Sequence, residues 1–470
     1  LAKTYGLPRL HGPPKNIGNW VGWNMWLANV SRPSTVPAPL VRKAKKDYWD
    51  MLMSKISTEE LKEKVSPLDH LSTINGVNGV IGCDPMKKNT SMGIPWCRPK
   101  KEYMRSVERV DNIEDPYDFT PEVMQKVHEL ESILAEGKRA YVAHRCNLKD
   151  EAIKIDKEKV RVFLGCPLPY LYLMRKYFLA LVMFIQEHPY VFETAVGVNC
   201  YGQQWGELAE HIRKHGAERI VAGDYAWYDQ MMEILVTKGS FEILIGLCER
   251  AGYSERDLRI CRGLMTETIA GCYDLRGEWI GLTGANPSGH ALTVIINGVA
   301  NSLYVRSAYY HLKPETHNEP FADCVSLMTY GDDNIMSVRE DLPWFNHTTL
   351  SRALSEWNIT YTMADKTAES VEYINLDQAT FLKRSFVYRQ GTCFAPLEEA
   401  SIMKTLHTYL ESKTMDVNEQ HAQLLMNANR EYFMYGEEEF NSKREMLMDL
   451  ATKEGIAHFF KDNALDTYSQ

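Results

Sequence analysis

Met328-Thr329-Tyr330-Gly331-Asp332-Asp333-Asn334-Ile335 joins two short apolar stretches, residues 325–330 and 334–338. Strand-forming residues on both sides of a glycine-bearing tetrad are a β-hairpin signal. Gly331 lets the turn tighten, and two adjacent acids crown it. Gly, Asp and Asn also suit ordinary turns, so the tetrad alone does not specify chemistry. Its meaning depends on what the rest of the chain brings to it.

Upstream, Ala222-Gly223-Asp224-Tyr225-Ala226-Trp227-Tyr228-Asp229 follows the apolar stretch 219–223, which reads as a strand ending at Asp224. Asp229 stands five residues on, near the start of a helix expected over 231–251. An Asp at a strand end or helix start is often only a cap. Two-metal phosphoryl transfer, however, needs carboxylates from separate segments, converging so that two ions sit roughly 3.5–4 Å apart. Hard oxygen ligands of this kind suit Mg²⁺ or Mn²⁺.

Between these segments lies Gly284-Ala285-Asn286-Pro287-Ser288-Gly289-His290-Ala291-Leu292-Thr293, continuing to Asn297 and Asn301-Ser302. We expect a long helix over 287–310, opened by Pro287. Thr293, Asn297 and Asn301 recur every four residues and so share one face. A polar stripe on an apolar helix needs hydrogen-bond partners, and a polar helix–helix contact would supply them as well as a catalytic site would.

The chain has 470 residues, which suggests two to four structural units. Its net charge of −9 argues against a nonspecific nucleic-acid-coating protein but allows a locally basic groove. Residues 86–105 carry Lys87, Lys88, Arg98, Lys100, Lys101 and Arg105 against the single acid Glu102, and 145–161 is also rich in Lys and Arg. The ten cysteines form no CxxC pair, which disfavours a zinc site or a disulfide scaffold and fits a reducing compartment. No signal peptide is recognised. The most apolar run, 177–185, is far short of a membrane span and reads as a buried helix. The first forty residues, rich in Pro, Gly and Trp, read as an extended arm. Helices are expected at 43–64 and 120–137, and from about residue 398 to the end. The order gives an α+β chain with a mixed N-terminal half, a sheet-based centre and a helical C-terminus.

The three segments together resemble the RNA-dependent RNA polymerases of the picornavirus order, whose palm carries D-x4-D, S-G-x3-T-x3-N and Y-G-D-D in this order. Here these are Asp224/Asp229, Ser288-Gly289/Thr293/Asn297 and Tyr330–Asp333. Asn89-Thr90-Ser91-Met92-Gly93-Ile94-Pro95 is similar to the family's template-entry loop. Leu148-Lys149-Asp150-Glu151 with Lys159-Val160-Arg161 resembles its basic finger segment, in a short form. Ala364-Asp365-Lys366 and Phe381-Leu382-Lys383-Arg384 resemble the palm lysine segment and the primer grip. The matches run from about residue 89 to 386. The wording Asn286-Pro-Ser-Gly-His looks more like invertebrate or marine picorna-like viruses than mammalian ones. Picornavirus enzymes begin with a Gly freed by polyprotein cleavage, whereas residue 1 here is Leu.

The resemblance implies a right-hand polymerase, with fingers and N-terminal arm at 1–185, palm at 186–261 and 284–390, a fingers insertion at 262–283 and a thumb at 391–470. It implies Mg²⁺ or Mn²⁺, two ions, held by Asp224, Asp332, Asp333 and the Tyr225 carbonyl, with Asp332 firmer than Asp333. Lys366 is then a candidate general acid. Lys149, Lys159 and Arg161 would meet the triphosphate. Asp229, Ser288, Thr293 and Asn297 would meet the ribose, where an acid plus an amide can recognise a 2′-hydroxyl. Thr90, Ser91, Gly93, Pro95, Gly289, Lys383 and Arg384 would meet RNA. Implied partners are template and product RNA, NTPs, a viral protein primer and other replication proteins, with no transmembrane segment. The implied location is the host cytoplasm, at membrane-associated replication complexes. Two alternatives stay open: a reverse transcriptase, which would carry a bulky aromatic in place of Asp229, and an inert RNA-binding or assembly protein.

Overall fold

The structure is a computed structural model and describes residues 1–14, 20–110, 112–156, 161–365 and 368–469. A four-stranded antiparallel sheet lies at its centre, in the order Val325–Tyr330, Asp333–Val338, Ile220–Tyr225, Tyr361–Met363. The expected hairpin is therefore present, and the Asp224 strand pairs with its second arm.

Behind the sheet runs the helix Thr293–Leu312, packed against Ala38–Lys55, Ile234–Ala251 and His347–Glu356. It is buried on nearly every side, as expected of a helix apolar all round. Its start differs from the sequence reading. Pro287 does not open it: the Pro287 carbonyl accepts from Gly289 N–H at 2.9 Å, and the chain is non-helical from 287 to 292. Close tertiary contacts hold this stretch out of helical geometry.

A second four-stranded sheet, Val162–Gly165, Ala143–Leu148, Cys272–Leu275, Glu278–Gly281, gathers the basic finger segment and the hairpin after residue 270. That hairpin begins after the helix Glu255–Ile269, so a division at 262 would fall inside a helix; one at 391 would fall inside the hairpin Val387–Arg389/Thr392–Phe394. The first forty residues are not wholly extended. Val21–Val30 forms a helix, and Trp23, Trp26 and Val30 cover the second sheet through Cys146, Leu164 and Tyr273. Tryptophan supplies enough apolar area to fold a segment the Pro and Gly content had suggested was irregular.

The 43–64 pattern is two helices, Ala38–Lys55 and Thr58–Lys64, separated where Ser57 accepts from Glu60 N–H at 3.3 Å as an N-cap. Pro121–Ala135 and Ile234–Ala251 lie within the ranges expected. Residues 177–185 belong to the helix Leu168–Glu187, the one helix among the described residues long and apolar enough to cross a membrane; 78% of its apolar window is buried in the fold. The C-terminal helices Glu399–His407, Val417–Phe433 and Glu437–Lys453 have their own core around Leu425, Tyr432, Phe440 and Leu447. The chain's start rests on them: Thr4 bonds Glu454, Tyr5 bonds Asp449, and His11–Gly12 then pairs with the finger strand Ile153–Lys154. The arm thus bridges the strand Ile153–Lys154 and the C-terminal helices.

Candidate active site

Strand register builds the carboxylate centre. Asn334 pairs with Gly223, so one step further Asp333 stands across from Asp224. Tyr330 pairs with Asp333, leaving Gly331 and Asp332 as the turn. Gly331 has φ +62°, a region that favours glycine. Asp332 is exposed at the crown, while Asp224 and Asp333 are half-buried.

The polar stripe explains what fixes this turn. The Asn301 amide nitrogen donates to the carbonyls of Gly331 and Asp332 at 3.0 Å and of Asp333 at 3.3 Å. Its oxygen accepts from Asn334 Nδ2 at 2.9 Å and Tyr225 OH at 3.2 Å, and Asn334 in turn accepts from Tyr361 OH at 2.7 Å. Asn301 is fully buried, so each bond replaces one it would make to water. What Asn301 engages in the turn is its backbone carbonyls rather than its carboxylates. Asp224 and Asp333 lie on neighbouring strands and Asp332 on the turn between Tyr330 and Asp333, and carboxylate oxygen is the donor type that hard divalent cations take.

Beside this centre opens a cavity of about 620 Å³ lined by Lys149, Arg161, Phe163, Asp229, Gln230 and Ser288. Lys149 and Arg161 are fixed by the Lys149 N–H bond to the Arg161 carbonyl at 2.8 Å, and both lie near Glu151, at 3.3 and 3.6 Å. Glu151, in the same segment as Lys149, thus lies between the two cations. Burial, with the charge of Asp332 adding to it, pushes Asp229 up to about 6 against the opposing pull of Arg161. Asp229, Asp332 and Arg161 thus act on one another across the cavity. Lys159 and Lys366 lie outside the described residues.

The loop 284–292 links this cavity to the helix behind it. Asn286 N–H donates to the Asp229 carbonyl at 2.8 Å, and Asn286 Nδ2 donates to Asn297 Oδ1 at 2.7 Å. The Thr293 hydroxyl, expected in the ribose network, donates its proton to the carbonyls of Pro287 and His290 and closes the loop. Gly289 lies against the fingers: a Cβ there would fall 1.9 Å from the Leu164 carbonyl oxygen. Its glycine requirement is the close approach of this loop to the strand Val162–Gly165.

Other expected RNA-facing residues have structural partners. Lys100, counted above with the basic stretch, is buried, and its ammonium bonds Thr90 Oγ1 at 2.7 Å and the Ser91 carbonyl at 2.9 Å. Desolvation lowers its pKa to about 8. It organises the loop from inside rather than standing on the surface. Ser91 Oγ accepts from Gly93 N–H, and a Cβ on Gly93 would lie 2.5 Å from the Cys166 carbonyl; Ile94–Pro95 is cis. Lys383 is exposed in the turn between Thr380–Phe381 and Arg384–Ser385, 2.9 Å from Glu398. Arg384 is engaged within the protein. Its guanidinium forks onto Glu431 with both bonds at 2.9 Å and donates to the Ala395 carbonyl at 2.8 Å, so it ties the strand Arg384–Ser385 to the helix Val417–Phe433.

Comparison with known proteins bears on the whole chain. A solved structure described as Sicinivirus 3Dpol RNA dependent RNA polymerase superposes with a TM-score of 0.76 at 19% identity, covering 99% of this chain and 92% of that one. The chain is 31% identical over 385 residues, 75% of its length, to the replicase polyprotein of Cricket paralysis virus, and 29% identical over 420 residues, 83% of its length, to the RNA1 polyprotein of Red clover mottle virus. These matches span 21% and 22% of those polyproteins, so the chain corresponds to about a fifth of each. The family model for viral RNA-dependent RNA polymerase matches residues 33–451, and the chain belongs to that family, in the form found in picorna-like viruses.

Proposed function

We propose that the chain extends an RNA primer on an RNA template by two-metal nucleotidyl transfer at Asp224, Asp332 and Asp333. The observation that carries this reading is the register that sets Asp333 across from Asp224, with Asp332 on a turn held by Asn301. Mg²⁺ or Mn²⁺ bound there supplies charge neutralisation and an activated hydroxyl. Asp224 and Asp332 are the principal ligands, Asp333 the lesser one, and Tyr225 offers its carbonyl. Lys149 and Arg161, already paired at the mouth of the cavity, bind the triphosphate of the incoming NTP. Asp229, Ser288 and Asn297 face its ribose. Lys159 as a further phosphate ligand and Lys366 as proton donor to pyrophosphate complete the assignment by motif.

Template RNA passes the loop carrying Thr90, Ser91, Gly93 and Pro95, and Lys383 approaches the primer strand. A viral protein primer and other replication proteins are the proposed partners, through which the enzyme works at membrane-associated complexes in the host cytoplasm. Reverse transcription is disfavoured by Asp229, since a carboxylate there can accept from a 2′-hydroxyl.

Primer extension on a defined RNA template, with NTPs and dNTPs compared, tests this. A site built around a hydroxyl rejects the analogue lacking it by on the order of 10⁴-fold. Equal incorporation of both would overturn the ribose assignment, and loss of dependence on divalent cation would overturn the metal one.

A further inference from the structure

Asn297 can present either its amide nitrogen or its oxygen to a nucleotide, and the two have opposite consequences. The bonds around it decide which. Leu292 N–H, a group that can only donate, lies 3.2 Å from His290 Nδ1. His290 Nδ1 is therefore an acceptor, and the proton of the neutral ring sits on Nε2. Nε2–H is 2.8 Å from Asn286, which must turn its oxygen there. The nitrogen of Asn286 then faces Asn297 and donates to Oδ1 at 2.7 Å. A second contact agrees: the same nitrogen lies 3.3 Å from the Thr293 carbonyl, which can only accept. The Asn297 NH₂ is left directed away from Asn286, with no acceptor among the described residues, on a side chain adjoining Gly331 of the catalytic turn.

We infer that His290 and Asn286 form a positioning relay that fixes the Asn297 amide as a donor toward the incoming nucleotide, and thereby set the discrimination between ribose and deoxyribose. The proposal rests on the reading of Asn297 as a ribose-facing residue. In this orientation a 2′-hydroxyl donates its proton to Asp229 and accepts one from Asn297. With the amide reversed, the hydroxyl would meet two acceptors and have one proton to give. Asn286 serves both sides, since its backbone N–H also holds the Asp229 carbonyl at 2.8 Å.

The relay is built to keep one state. Asn286 and His290 are buried, and the ring meets Tyr170 of the finger helix edge-on, with centroids 6.3 Å apart. Burial holds His290 down to about 3, so the ring stays neutral and its tautomer is set by Leu292 alone.

The readout is kcat/KM for an NTP over that for its 2′-dNTP, on an RNA template, with the full chain. Asn286→Asp keeps the shape and replaces the donor by an acceptor, so the Asn297 amide turns to donate to the new carboxylate. The ratio is expected to fall about tenfold, through a raised KM for NTP with dNTP use unchanged. His290→Phe should move the ratio the same way, whereas His290→Gln, which places an N–H near the position of Nε2, should hold it near the wild-type value. Equal losses on both substrates in Asn286→Asp and His290→Phe would overturn the relay and leave a packing role. Where Asn286→Asp does not fold, the two His290 variants decide. Asn297→Ala separates the levels. An unchanged ratio there removes the ribose reading itself. A lowered ratio there, with an unchanged one in Asn286→Asp, removes only the relay.

Discussion

Asp332→Ala is expected to reduce Mg²⁺-dependent primer extension by about 10³-fold or more, because several kcal/mol of charge stabilisation leave with the carboxylate. The fold should barely register the change. The side chain is exposed at the turn, and what Asn301 holds there is the backbone carbonyl of Asp332, which alanine retains. Binding of template–primer RNA, measured without nucleotide, should persist, since no phosphate ligand is touched. Asp333→Ala should cost less, because that side chain stands back on the strand opposite Asp224. Extension by Asp332→Ala within tenfold of wild type would remove the two-metal assignment. Lost RNA binding or a lower melting temperature would show that the turn, rather than the chemistry, had been damaged.

The hairpin around Asp332 was legible because its signals are local: strand-forming residues on both sides, a glycine where φ is positive, and acids where a turn tolerates them. The Thr293–Asn297–Asn301 stripe was half legible. Spacing by four showed that partners were required, but not that Asn301 would clasp the carbonyls of the turn some thirty residues on. Asn286 and His290 left no signal of their own, since Asn, Pro, Ser and Gly together read as an ordinary loop and a lone histidine has no periodicity. The start of the helix was misread for the same reason. Pro287 suits a first turn, and only the contacts of residues 286 and 289 with Asp229 and Leu164 keep the chain non-helical until 293. Lys100 and Arg384 were read as surface charge, because sequence gives sign but not depth. Each proved to be engaged from within, by the Thr90 loop and by Glu431.

The deepest feature was also invisible, and it carries the second large effect. Arg306, on the helix behind the sheet, has no exposed side-chain surface; it bonds Asp47 at 2.7 Å and forks onto Glu193 at 2.7 and 2.8 Å. Burial works against its charge, yet Glu193 and Asp47 outweigh that and raise its pKa. Its partners lie 259 and 113 residues away in sequence, so no local pattern could announce them. They join the helix Ala38–Lys55, by way of Glu193, to the strand that ends in the Tyr330–Asp333 turn. Asp47 also accepts from Tyr310 OH and Phe321 N–H, and the Glu193 carbonyl accepts from Thr329 N–H and its hydroxyl, next to Tyr330. Arg306→Ala leaves two buried carboxylates without their cation, which costs about 3–5 kcal/mol, a large part of the roughly 5–15 kcal/mol that holds a domain together. Chemical denaturation should show that loss. Arg306→Lys should recover only part of it, because an ammonium cannot fork onto Glu193 while reaching Asp47. Adding Glu193→Gln to Arg306→Ala should recover stability, since the uncompensated charge, not the missing packing, is the main cost. An unfolding midpoint in Arg306→Ala equal to that of the wild type would refute the assignment. A double variant less stable than Arg306→Ala would place the cost in the cavity left by the arginine instead.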